Sequence, residues 1–238
     1  MRHALRKADK VVAVSKFIRG LTLRLGAPPE NVEVIYLGID PEKFKPASDK
    51  DALREELGIP AGHLIVGTLG RLVPEKRVED LIRAAARVNR RMDAFFVVGG
   101  DGPHRPFLEE LAEKLNVENI RFMGEIRAAA RFHQLCDIFV LTSVREGLSV
   151  ALQEAMATGC VPVAVNGYGC PELIRDGENG YLFEPLDIEE LAEKVLKAAS
   201  SLELGRRARA TILKRFDMNK NVHRYIELYE ELAARRRA

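Results

Sequence analysis

The sequence predicts an α/β protein built on a doubly wound parallel sheet. Short apolar runs recur along the chain, at Val11 to Val14, Val32 to Tyr36, Leu64 to Leu69, Ala94 to Val98, Asn119 to Phe122, Ile138 to Leu141 and Val161 to Val165. Runs of this kind suit strands buried on both faces. The segments between them carry apolar residues at helical spacing, as in Val78, Leu81, Ile82 and Ala85, or Phe107, Leu108, Leu111 and Leu115. Crossover helices, rather than hairpins, therefore connect the strands. With 238 residues, 47% of them hydrophobic, there is enough core for one large domain or two small ones.

The N-terminal segment reads as a strand, a helix over about Lys16 to Leu25 and a second short strand. That is too little to bury a core, so it is either an edge addition to the main sheet or the tail of another domain. Leu37-Gly38-Ile39-Asp40-Pro41, followed by the polar stretch Lys45 to Lys50, interrupts pairing and marks a hinge before a helix that starts near Asp49. Helices are expected over Asp187 to Ser200, Leu202 to Arg215 and Asn219 to Arg235. The last has an apolar stripe, Val222, Tyr225, Ile226, Tyr229 and Leu232, that must pack on something. The expected division is residues 1–40, 41–215 and 216–238.

The 37 Lys and Arg against 35 Asp and Glu leave a net charge of +2, which disfavours nucleic acid as a partner. Arg235-Arg236-Arg237 is a candidate phosphate or membrane patch, with a solvated helix end as the blander reading. Cys136, Cys160 and Cys170 have neither zinc nor disulfide-framework spacing. There is no apolar run of about 18 residues and no signal-peptide core after Met1, so a cytoplasmic protein, or one peripheral to a membrane, is expected.

Three strand-to-helix loops can carry chemistry. Gly67-Thr68-Leu69-Gly70-Arg71-Leu72-Val73-Pro74-Glu75-Lys76 combines two glycines with a fork-shaped and a point cation, which suits a diphosphate. The loop is not a Walker sequence, and a surface turn with two solvated charges is the alternative. Gly99-Gly100-Asp101-Gly102-Pro103 reads as a tight turn, mainly structural and lining the pocket. Thr142 to Ala157 joins a strand end to a helix opening at about Gly147 to Ser149, where free N–H groups attract anions. Glu146 precedes that helix and Glu154 lies roughly 8–10 Å further along it. Because either would repel phosphate, both carboxylates should address hydroxyls or assist charge development at the anomeric carbon, which makes Glu146 a candidate catalytic residue. The alternative is a dipole-favoured glutamate at the helix start and a second on the solvent face.

Glu146-x7-Glu154 followed by Ala155-Met156-Ala157-Thr158-Gly159-Cys160-Val161-Pro162-Val163 resembles the EX7E motif of the retaining nucleotide-sugar glycosyltransferases known as family 4, or group 1. The resemblance extends in order through Gly70-Arg71 with Lys76, Gly100-Asp101-Gly102-Pro103, Phe122-Met123-Gly124, Asp137 to Ser143, Pro171-Glu172-Leu173-Ile174 and Asp176 to Leu182. It implies the C-terminal, Rossmann-like half of a GT-B fold. The donor would be a UDP- or GDP-sugar, with no cofactor or metal, and a hexosyl group would pass to a glycan, lipid or small-molecule acceptor with retention of configuration.

Position by position, the resemblance assigns the donor diphosphate and leaving nucleotide to Arg71 and Lys76, beside Gly70. It assigns the donor sugar to Glu146, phosphate or sugar contacts to the amides of Gly147, Leu148 and Ser149, ribose to Glu154 and the base to the backbone around Ile126. The sequence departs from the family where Arg77 replaces a frequent glycine, where Thr142 replaces a frequent proline and in a slightly short connection from Gly124 to Asp137. The greatest departure lies upstream, where Ala8 to Ser15 matches only the last strand and helix of the acceptor domain, and neither His3 nor His63 substitutes for its residues. Two other readings remain: a non-catalytic nucleotide-sugar-binding subunit whose acceptor partner is a separate chain, and a sugar-nucleotide epimerase of related architecture.

Overall fold

A computed structural model describes residues 2–60 and 62–235; Arg236 and Arg237 of the basic cluster lie outside the described residues. The elements are α1 (Arg2–Lys7), β1 (Val11–Ala13), α2 (Lys16–Arg24), β2 (Val32–Val34), α3 (Lys50–Glu56), β3 (Leu64–Leu69), α4 (Val78–Val88), β4 (Ala94–Gly99), α5 (Arg105–Lys114), β5 (Ile120–Gly124), α6 (Ala129–Leu135), β6 (Ile138–Leu141), α7 (Val150–Ala157), β7 (Val161–Val165), α8 (Cys170–Leu173), β8 (Tyr181–Phe183), α9 (Ile188–Ala199), α10 (Leu204–Arg215) and α11 (Met218–Arg235).

Strands β3 to β8 form one parallel sheet in the order β5-β4-β3-β6-β7-β8. The chain winds outward from β3 in one direction, returns to β6 on the other side of β3 and winds outward again. The crevice between the carboxyl ends of β3 and β6 is therefore the topological switch point, where open α/β sheets bind ligands. Every residue of β4, β6 and β7 is buried. This is why these strands read as continuous apolar runs without alternation. Helix α7 is buried almost all round and so lacks an amphipathic stripe.

Strands β1 and β2 pair in parallel with each other and form a sheet separate from the six-stranded one. The edge-addition reading of the N-terminal segment is thereby overturned. This unit has a small cluster of its own, Ala13, Ala27 and Val32, flanked by Leu5, Val11, Ile18 and Leu23.

The chain passes between the two units twice, and the two crossings are bound together. Ile39 N–H donates to Phe216 C=O at 2.8 Å, and Met218 N–H donates to Ile39 C=O at 3.1 Å. Gly38 is required by this approach, since a Cβ there would lie 2.2 Å from Met218 Cα. Beyond the crossing, α11 lies on the N-terminal unit, where Arg224 Nε meets Glu33 Oε1 at 2.5 Å and Tyr225 Oη donates to Ile35 C=O at 3.5 Å. The stripe expected to pack stays largely open, since Val222, Ile226 and Tyr229 are exposed and Tyr225 and Leu232 half-buried, whereas the buried apolar residue of α11 is Leu228, which is not one of the five. Among the described residues, no helix is long and apolar enough to cross a membrane.

Candidate functional site

The loops after β3 and β6 meet at the switch point. The β3 loop ends in a short helical turn, Pro74–Lys76, onto which the β6 loop is fastened by backbone and hydroxyl groups. Thr142 Oγ1 donates to Lys76 C=O at 2.8 Å, Val144 N–H to Glu75 C=O at 3.1 Å and Ser143 Oγ to Glu75 C=O at 3.3 Å. A proline in place of Thr142 would lack the first of these bonds. Lys76 Nζ then reaches Glu146 Oε1 at 2.5 Å, with side-chain exposures of 31% and 12%. Arg71 is exposed and carries no ion-pair partner among the described residues. Lys76 and Glu146 thus meet in the crevice, with Arg71 on the same β3 loop.

The glycine loop after β4 supports the β3 loop from below. Gly70 N–H donates to Gly99 C=O at 3.1 Å, Leu72 N–H to Asp101 C=O at 2.9 Å and His104 N–H to Leu72 C=O at 3.0 Å. Gly100 is held against the carbonyl of Gly70, where any Cβ would clash. The glycines here serve close backbone packing.

Arg77 has φ 49° and ψ 41°, a left-handed conformation that explains why glycine suits the position. Its guanidinium forks onto Asp80, Nε to Oδ2 at 2.6 Å and Nη2 to Oδ1 at 2.7 Å, and these hydrogen bonds raise its pKa above the ordinary value. Arg77→Gly relieves about 1 kcal/mol of backbone strain. It also leaves Asp80, 2% exposed, without its partner, at a cost of about 3 kcal/mol. A net loss of about 2 kcal/mol is therefore expected, measurable as a lower urea midpoint at unchanged slope.

Helix α7 begins at Val150, slightly later than the sequence suggests, because Ser149 is its N-cap and its hydroxyl accepts from Leu152 N–H. Gly147, Leu148 and Ser149 precede the first turn, so their amides belong to the approach to the helix. Glu154 lies on the fifth residue of α7. It is not on a solvent face, since its side chain is 17% exposed and its Oε2 lies 3.2 Å from Nε2 of His133, which is fully buried. Ile126 is half-buried and packs on β4, where a Cβ on Gly99 would touch both Ile126 and Phe132.

The N-terminal unit reaches this crevice at Gly147, where a Cβ would lie 3.1 Å from Ile18. It is held there by Glu172 of α8, whose carboxylate accepts from Lys16 N–H, Phe17 N–H and Tyr36 Oη, each at 2.9 Å. One carboxylate thus caps the first turn of α2 across the two units. Burial, then the Glu172 hydrogen bond, raises the Tyr36 pKa.

Residues 49–211 match the family described as glycosyl transferases group 1, and residues 1–43 match glycosyltransferase family 4. The chain belongs to the group 1 glycosyl transferases. It is 29% identical over 98% of its length to the N-acetyl-alpha-D-glucosaminyl L-malate synthase of Bacillus anthracis. It is 31% identical over 82% of its length to a GDP-mannose-dependent alpha-(1-6)-phosphatidylinositol monomannoside mannosyltransferase of Mycolicibacterium smegmatis. The chain spans 62% and 55% of these relatives. Among solved structures, HepE of Anabaena in complex with UDP matches with a TM-score of 0.89 at 28% identity, over 96% of this chain and 65% of that one. The C-terminal domain of the group 1 glycosyl transferase LpcC of Francisella tularensis matches with a TM-score of 0.70 at 27% identity, over 76% of this chain and all of that domain. The six-stranded sheet is the C-terminal, Rossmann-like half of a GT-B fold.

Two features of this candidate site were not anticipated from sequence. The contact between Lys76 and Glu146 joins residues expected to hold different parts of a donor. His133 was not singled out, because nothing in Phe132-His133-Gln134 marks it and its partner lies 21 residues away. The one available signal was a polar residue at a helical position that the fold buries.

Proposed function

We propose that this chain binds a UDP- or GDP-linked sugar across the crevice between β3 and β6, and that in the complete enzyme it transfers a hexosyl group with retention of configuration. The acceptor is a glycan, a lipid or a small molecule. The observation that carries this reading is the contact of Lys76 with Glu146 at the switch point, with Arg71 on the same loop as Lys76, in a chain of the group 1 family.

Arg71 and Lys76 hold the diphosphate and stabilise the negative charge that develops on the leaving nucleotide. Glu146 addresses the donor sugar and Glu154 the ribose, as the two glutamates of an EX7E motif. Gly70 and the Gly147, Leu148 and Ser149 amides line the phosphates and sugar, and the backbone at Ile126 meets the base. The crystallised complexes of HepE with UDP and with UDP-glucose support a donor of this class.

In this reading residues 1–40 are the end of the acceptor domain plus the hinge, residues 41–215 the donor domain and residues 216–238 the crossover helix. The separate β1–β2 sheet and the exposed Val222, Ile226 and Tyr229 beside it support that division. The remainder of the acceptor domain, in the same chain or as a partner, would complete the site. The three buried thiols fit a cytoplasmic location.

A thermal-shift panel of nucleotides and nucleotide sugars tests the reading, since a ligand of the native state raises its stability by mass action. A nucleoside diphosphate and its sugar should raise the melting temperature, and Arg71→Ala/Lys76→Ala should abolish the shift. An unchanged affinity in that double variant would overturn the assignment.

A further inference from the structure

We propose that His133 is a positioning residue for Glu154, holding the carboxylate in the orientation from which it reads the ribose hydroxyls. This rests on the reading of Glu154 as the ribose ligand. His133 itself would not touch the nucleotide.

The imidazole stands on α6 with 0% exposure, among the rings of Phe139, Phe132 and Phe44 at centroid distances of 5.0, 5.8 and 6.4 Å. An apolar side chain would suit such surroundings better. Its Nδ1 is buried without a hydrogen-bond partner, so the ring carries an unsatisfied polar atom in the core. Among the described residues, the one polar contact of its side chain is with Glu154, 3.2 Å from Nε2 to Oε2. A costly buried polar group that serves one carboxylate is best explained by what that carboxylate does.

The geometry also sets the protonation of the pair. With the proton on Nε2 the ring donates to Glu154 and leaves only a lone pair unpaired at Nδ1. The other tautomer would leave a buried N–H without an acceptor and set the Nε2 lone pair against a carboxylate. A doubly protonated ring would bury a charge as well, and desolvation lowers the His133 pKa against the opposing pull of Glu154. The ring is therefore a fixed neutral donor.

Its backbone is equally fixed, since His133 C=O accepts from Cys136 N–H and from Cys160 Sγ, each at 3.1 Å. The donor thus occupies Oε2 from the protein side. Oε1 of Glu154 has no partner among the described residues, and a carboxylate oxygen with free lone pairs can accept from the 2′- and 3′-hydroxyls of one ribose. Without His133 the carboxylate is free to rotate, and each hydroxyl contact must then restrain it.

The test is calorimetric titration of this chain with UDP and 2′,3′-dideoxy-UDP, and with the GDP pair in parallel. The native chain should prefer the ribonucleotide by about 10- to 100-fold, as expected for one or two charge-assisted hydrogen bonds. Glu154→Ala should bring that ratio close to one. His133→Phe should lower it by about tenfold while leaving the dideoxynucleotide affinity unchanged.

His133→Gln, whose amide can reach Glu154, should keep most of the ratio, and His133→Asn, whose shorter amide cannot, should lose it. The Gln and Asn pair decides the matter if the Phe variant does not fold. Equal weakening of both nucleotides in the Phe and Asn variants, or an unchanged ratio in them, would overturn the positioning role. A native chain that does not distinguish the two nucleotides, or a ratio unmoved by Glu154→Ala, would instead overturn the ribose reading beneath it.

Discussion

Replacing Lys76 with methionine is expected to weaken nucleoside diphosphate binding by about 100-fold, and adding Glu146→Gln to that variant is expected to restore part of the loss. The first effect follows from the loss of a point charge opposite a diphosphate. The second follows from the 2.5 Å contact between Lys76 Nζ and Glu146 Oε1. With Lys76 present, its charge offsets that of Glu146 at the mouth of the proposed phosphate site. With Lys76 gone, a carboxylate only 12% exposed faces the incoming phosphates uncompensated. Two like charges about 4 Å apart near a protein surface repel by about 4 kcal/mol at the effective dielectric of such a site, and by less where salt screens them. Neutralising Glu146 removes that repulsion. The double variant should therefore bind UDP or GDP more tightly than Lys76→Met alone, by calorimetry at fixed ionic strength. A double variant weaker than the single one would mean that Glu146 helps hold the nucleotide directly.

The same contact shows where sequence reasoning reaches and where it stops. Burial on both faces made the long strands legible as continuous apolar runs, and β3, β6 and β7 begin and end where those runs do. The three-residue β8 was missed because Tyr181–Phe183 is too short to show a period, and α1 because its six residues hold too few apolar positions to show one. The hinge was legible from Gly38 and Pro41. Its second half was not, since the pairing of Ile39 with the start of α11 depends on residues almost 180 positions apart. For the site, each loop was visible as a strand-to-helix junction. Sheet order brings Lys76 to Glu146, and the packing of α6 on α7 brings His133 to Glu154; neither is written in any one segment.

The glycine loop gives the sharpest separation between a structural and a ligand-binding role. Gly100 has φ +112°, and a Cβ built there would lie 1.9 Å from the carbonyl oxygen of Gly70. Neither atom can yield without moving the β3 loop, because Gly70 N–H is itself bonded to Gly99 C=O. Gly100→Ala is therefore expected to cost on the order of 3 kcal/mol or more, through backbone strain and loss of the loop-to-loop bonds. Gly167→Ala is the control. That glycine lies in the loop after β7, has no atom within 4 Å of its notional Cβ and has no positive φ, so a change within about 0.5 kcal/mol is expected. Urea unfolding without ligand measures both. If Gly100 served only to let backbone approach a phosphate, its substitution would lower nucleotide affinity and leave the unliganded midpoint in place. The packing of Gly100 on Gly70 requires the midpoint to fall first, with affinity lost only because the Arg71 to Lys76 loop is displaced.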